Sequence, residues 1–167
     1  RMLCEAGARD VPVLAGLPAE GDGADLSQGR WGLAFPKPAQ PYPSAIDFIL
    51  EQIKKYPNQI TLLAIAPFTD VGTLIERDPE TFKKLKRVVI MGGSIYQDYG
   101  DLGFTPNWGP EPEYNIKSDI PAAQRMFASG VPLFVMPLDS TQLKLDEVKR
   151  QILFQQDTPL TNSLSTL

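Results

Sequence analysis

The 167-residue sequence contains no histidine and a single cysteine, Cys4. Without histidine there is no Ser-His-Asp or Cys-His triad and no His-containing metal cluster, and the commonest general base is missing. One cysteine cannot close a disulfide within the chain. No apolar run approaches the roughly 18–20 residues needed to span a bilayer, so the sequence predicts no membrane partner. Basic residues are also in deficit. With 16 Lys and Arg against 20 Asp and Glu, the net charge is −4. No basic stripe overrides that total, so nucleic acid is excluded as a partner. Hydrolytic chemistry in such a chain must rely on carboxylates, amides or an oxygen-bound metal.

What is present is the composition of a globular protein, 43% hydrophobic and 22% charged, at the length of one domain or part of one. Gly and Pro concentrate in residues 1–45 and 92–113, marking two loop-rich regions. Arg1 to Gly7 reads as the end of a helix capped by Gly7, and Asp10 to Gly16 as a short strand. Residues 17–43 read as a Pro-rich excursion. Ser44 and Asp47 form a weak capping box for a helix whose Ile46, Ile49, Leu50 and Ile53 share one face. Ile60–Ile65 is a continuous apolar run, the pattern of a strand buried on both faces. A helix over about 69–77, a shorter one from Pro79 to Leu85 and a strand over 87–91 follow. After a long loop over 92–117 come a helix capped by Asp119 and stopped by Gly130, a strand over 132–136, and an amphipathic helix over 145–156 with Val148, Ile152 and Leu153 inward.

Strands alternating with helices predict an α/β, Rossmann-like three-layer fold with a mostly parallel sheet and helices on both faces. Ligands of such sheets bind beyond the carboxyl ends of the strands. That rule points to 66–70, 91–93 and 137–141. The loop after Met91 holds Gly92-Gly93 and, further on, Asn107, Glu113, Tyr114 and Asn115. Carboxylates and amides together suit sugar hydroxyls, each of which both donates and accepts a hydrogen bond. The same residues are ordinary turn formers, and the pattern alone does not choose between the two readings. Asp139 either faces the site or caps the turn that follows it, and Asp70 is expected to cap a helix start. Trp31, Phe35 and Tyr42 offer an aromatic surface that either stacks a base or packs its own loop.

Five segments in order resemble the inosine-uridine-preferring nucleoside hydrolases. Val11–Gly16 resembles their Pro-Val-Tyr-Ala-Gly, and Ala64-Ile65-Ala66-Pro67-Phe68-Thr69-Asp70 their Gly-Pro-Leu-Thr-Asn segment. Val88–Gly93 resembles Val-Met-Gly-Gly. Glu113–Ile116 with Asp119–Ala123 is similar to Ala-Glu-Phe-Asn … Asp-Pro-Glu-Ala-Ala. Val135–Thr141 is similar to Pro-Leu-Asp-Val-Thr. The resemblance implies a single, incomplete domain of that family over residues 1–167. It implies hydrolysis of the N-glycosidic bond of ribonucleosides to ribose and free base. It also implies a Ca²⁺ cofactor, a ribonucleoside partner and a homo-oligomer, dimer or tetramer, in the parent protein. By the same resemblance Met91, Asn107, Glu113 and Asn115 bind the substrate's ribose, and the backbone carbonyl of Ile65 is a metal ligand.

The family's Asp-rich opening and late His-Asp pair are not in the sequence. The catalytic base is therefore expected outside this chain, most Ca²⁺ ligands are missing from it, and the 167 residues alone are expected to be inactive. Gln28-Gly29 stands where the family has His-Gly. The stretch from Ser94 to Pro106 is longer than is typical, which suggests an altered base pocket or a different subgroup. The alternative readings are a non-catalytic ribose- or nucleoside-binding protein and, second, a structural or interaction domain with no ligand. The compartment stays open, with the cytoplasm slightly favoured.

Overall fold

The structure is a computed structural model, and it describes residues 2–8, 10–17, 41–99 and 109–165. Gln28, Trp31, Phe35 and Asn107 lie outside the described residues. The chain divides into two compact units, one of residues 1–14, 22–42 and 144–167, the other of residues 15–21 and 43–143.

The larger unit carries the parallel sheet. Helix α2 (Ala45–Lys55) begins at Ser44, which has an extended backbone and whose side-chain hydroxyl accepts the Asp47 N–H at 3.3 Å. No bond from the Ser44 N–H to Asp47 completes the expected capping box, and Asp47 Oδ1 pairs with Arg77 at 2.8 Å. Ile46, Leu50 and Ile53 are buried at the predicted helical spacing. Strand β1 (Thr61–Ala64) leads to helix α3 (Thr69–Arg77). Asp78 then caps α4 (Pro79–Phe82), whose fixed proline φ suits a first turn. Strand β2 (Arg87–Met91) is followed by the loop, by a single helical turn α5 (Tyr114–Lys117) inside the segment read as loop, and by α6 (Ile120–Phe127). Asp119 caps α6 as expected, accepting the Ala122 N–H at 3.0 Å. Strand β3 (Leu133–Met136) closes the order β1-β2-β3, all parallel, and a 3₁₀ turn over Leu138–Ser140 follows it. The register sets Ala64 beside Ile90 and Met91 beside Met136.

The expected strand over 10–16 is reduced to one parallel bridge between Ala15 and Ser44. Pro12 offers no N–H for a ladder, which is consistent with so short a pairing.

The α/β class stands: a parallel sheet flanked by helices. Its core is Val88 and Ile90 of β2 with Ile53 of α2, Leu74 of α3, Phe82 of α4 and Met126 of α6. In a strand successive side chains face opposite ways, so β2 sends Val88 and Ile90 to this core and Val89 and Met91 to the other face. All of these helices deliver their buried residues to the first face. The both-sided burial expected of β1 does not hold: Leu63, on the second face, is 62% exposed. Helices α3 and α6 cross at Gly72, where an added Cβ would stand 2.6 Å from the Ala122 Cβ.

In the smaller unit α1 (Met2–Glu5) packs on α8 (Pro159–Ser165), and α8 on α7 (Glu147–Phe154). Gly7, with φ +74°, follows α1 as expected. The inward placement of Val148 and Ile152 on α7 is overturned. Both are exposed, and only Leu153 and Phe154 of this helix are half-buried, because the partner helix covers that side alone. Among the described residues no helix is long and apolar enough to cross a membrane.

Candidate functional site

The carboxyl end of β2 gathers the residues singled out from the sequence. Gly92 and Gly93 follow Met91 directly, the first favoured by close contact and the second by its backbone conformation. A Cβ on Gly92 would come to 3.0 Å from the Phe68 ring and 3.4 Å from Glu113 Oε2. Gly93 adopts φ +89°, a region side chains disfavour. In that conformation its N–H donates to Glu113 Oε2 at 3.2 Å. The glycine pair thus admits a carboxylate to the strand end.

Glu113 sits at the start of α5 and is only 3% exposed. Its Oε1 accepts the Asn115 N–H at 2.9 Å and the Tyr99 hydroxyl at 3.3 Å. Its Oε2 accepts the Ile116 N–H at 3.1 Å in addition to Gly93. A carboxylate offers about four acceptor positions, and all four are engaged. Asn115, 7% exposed, donates through Nδ2 to the Met91 carbonyl at 2.9 Å and touches the Met91 sulfur at 3.3 Å. The structure therefore brings Met91, Glu113 and Asn115 together. Asn107 is outside the described residues. Ile65 lies one step beyond Ala64, at the same end of the sheet, with its side chain 65% exposed.

The loop over 94–99 is tied down by Asp139, Glu111 and Ser94. Asp139 does not cap the turn that follows it. Its two oxygens accept the N–H groups of Ile95 and Tyr96 at 2.9 and 2.8 Å. These bonds, led by that from Ile95, hold the Asp139 carboxyl below the usual carboxylate range. Glu111 accepts the Tyr99 N–H at 2.8 Å. Ser94 bonds the Gln97 carbonyl and accepts the Glu111 N–H at 3.2 Å. Asp70 likewise does not cap a helix: Phe68 holds the N-cap of α3, and Asp70 Oδ1 accepts the Leu17 N–H at 2.7 Å.

Tyr99 had no role in the sequence reading. Its hydroxyl donates to Glu113 and accepts the Tyr114 N–H at 2.6 Å. Burial raises its pKa first, and the nearby negative charge of Glu113 raises it further, while the Tyr114 N–H acts the other way. No local periodicity could have found it, since the two residues stand 14 positions apart in the sequence.

Among the described residues no three His, Cys, Asp or Glu side chains come together as a metal-holding group. These residues do not fit a Ca²⁺ site by themselves, so no reaction step is routed through one.

The sequence profile described as "Inosine-uridine preferring nucleoside hydrolase" matches residues 1–166. Uridine nucleosidase 1 of Arabidopsis thaliana is 36% identical over 158 residues, covering 87% of this chain and 45% of its own length. The pyrimidine-specific ribonucleoside hydrolase RihA of Citrobacter koseri is 35% identical over 164 residues, covering 90% and 49%. Among solved structures, a purine-preferring ribonucleoside hydrolase from Gardnerella vaginalis superposes with a TM-score of 0.77 at 24% identity, over 98% of this chain and 54% of that one. The chain spans about half the length of these relatives.

Proposed function

The chain belongs to the inosine-uridine preferring nucleoside hydrolase family, and from this premise we propose that it carries the sugar-binding part of an enzyme that hydrolyses the N-glycosidic bond of ribonucleosides. The observation that carries the reading is the convergence of Met91, Glu113 and Asn115 where β2 ends.

In the proposed reaction water adds across the bond between the ribose C1′ and the base nitrogen. The bonding pair leaves with the base, which takes up a proton, and the water oxygen becomes the new hydroxyl at C1′. Positive charge builds on the ribose ring as the bond breaks. Substrate groups held at fixed positions lower the entropic part of that barrier. In this reading the anionic Glu113 accepts sugar hydroxyls, Asn115 and Asn107 add amide contacts, and Met91 lines the apolar side of the pentose. The bond from Asn115 Nδ2 to the Met91 carbonyl supports this reading by fixing the amide beside the strand end. The aspartate that deprotonates the water is assigned to no residue of this chain. Calcium remains a proposal for the whole protein, to which this chain would lend the carbonyl of Ile65. The homo-oligomeric state is proposed on the same footing.

The test is release of free ribose from inosine and uridine by the protein, with and without Glu113→Gln. Removing one positioned charged contact costs on the order of 10²-fold in rate. Full activity in the variant would sink the assignment of Glu113. Binding of ribose without any base release would favour the non-catalytic reading.

A further inference from the structure

Glu113 poses a problem for any sugar that is to bind it. The residue is 3% exposed and its acceptor positions are filled by the protein's own donors. A pentose hydroxyl reaches the carboxylate only if one donor yields. Three of the four are backbone N–H groups. Those of Asn115 and Ile116 are built into the first turn of α5, and that of Gly93 is set by the turn after β2. They cannot leave without unwinding their elements. The fourth is the phenol of Tyr99, which rides on a rotatable side chain and makes the longest of the four bonds, at 3.3 Å.

We propose that the Tyr99 hydroxyl occupies on Glu113 the position of a sugar hydroxyl, and that pentose binding displaces it. This deepens the ribose-site reading and rests on it. The chemistry of the exchange is balanced: one neutral O–H donor leaves Oε1 and another arrives, so no charge moves. The loop that carries Tyr99 is held at its flanks by Asp139 on Ile95 and Tyr96 and by Glu111 on the Tyr99 N–H. These ties keep the backbone in place while the phenol rotates. Displacement also frees the hydroxyl from the Tyr114 N–H, which makes the exchange cost more than one bond. Tyr99 is accordingly a specificity-determining residue that sets a threshold: a ligand must offer a hydroxyl that accepts from nearby donors as well as donating to Glu113, and a base alone does not.

The experiment is calorimetric titration with ribose of wild type, Tyr99→Phe and Glu113→Gln, each checked for folding by its melting curve. Removing the competitor is expected to tighten ribose binding about three- to tenfold, the scale of a hydrogen bond to a charged group weakened by length and partial exposure. Glu113→Gln is expected to lose binding. Ribose bound by wild type but bound equally or more weakly by a folded Tyr99→Phe overturns the displacement and leaves the sugar site standing. No heat from either protein overturns the sugar site and the displacement with it. A second measurement needs no variant to stay folded. With tyrosines labelled with ¹³C at the ring carbon bearing oxygen, the Tyr99 resonance is expected to move on saturation with ribose. An unmoved resonance in a protein that binds ribose overturns the proposal.

Discussion

Asn115 Nδ2 donates to the Met91 carbonyl at 2.9 Å, joining the first turn of α5 to the last residue of β2 across 24 residues of chain. The parallel ladder ends at Met91, paired with Met136, and the side-chain amide takes up a carbonyl at that end. One asparagine thereby fixes the α5 turn, and with it Glu113, onto the sheet.

Asn115→Ala is expected to lower stability by about 1–3 kcal/mol, the cost of leaving a partly buried carbonyl unpaired. Chemical denaturation measures it. A loss below about 0.3 kcal/mol would show that water replaces the amide at no cost.

Gly72→Ala tests the crossing of α3 and α6. Alanine is the better helix former by about 1 kcal/mol. Its Cβ would nevertheless meet the Ala122 Cβ at 2.6 Å and the Ala122 Cα at 3.0 Å, and overpacking against backbone costs about 1–3 kcal/mol. The clash is expected to win, so the melting temperature falls. Adding Ala122→Gly should recover part of the loss, a positive coupling in the double-mutant cycle.

Asp78 supplies a pH test. Its bond to Lys54, at 3.0 Å, and those from Thr81 bring its pKa down from 3.8 to about 2. A carboxyl whose folded pKa is depressed stabilises the fold above its unfolded pKa, and loses that contribution as pH falls through the folded value. The melting-temperature gap between wild type and Asp78→Ala is expected to be full at pH 5–7 and to shrink between about pH 4 and pH 2. A gap independent of pH would mean that the side chain acts only through shape.

Asp139→Ala removes the acceptor shared by Ile95 and Tyr96. Amide hydrogen exchange at these two residues is expected to accelerate by at least about tenfold, with Val88 and Ile90 in β2 unchanged. Equal protection in both proteins would show that the loop is held by Ser94 and Glu111 alone.

Much of this architecture is local and was therefore legible in the sequence. Ser44 and Asp119 each reach an N–H three residues ahead, and helical spacing put Ile46, Leu50 and Ile53 on one face. Such signals need no knowledge of the rest of the chain. The ordered motifs that resemble one family led to Met91, Glu113 and Asn115 as neighbours, and the structure joins them at the end of β2.

Longer-range choices were decided only by the tertiary structure. Asp139 and Asp70 have the side chains of caps, but each accepts N–H groups more than 40 residues away. An acceptor goes to whichever unpaired donor the fold brings near, and sequence spacing does not record that proximity. The apolar run of β1 likewise could not announce that Leu63 would face outward, because alternating strand geometry sets the faces and only the placement of the helices selects which one is covered. Glu113 shows both levels at once. Its residue type and motif were visible in the chain, whereas the four donors that surround it, Tyr99 among them, exist only once the loop, the strand end and α5 have met.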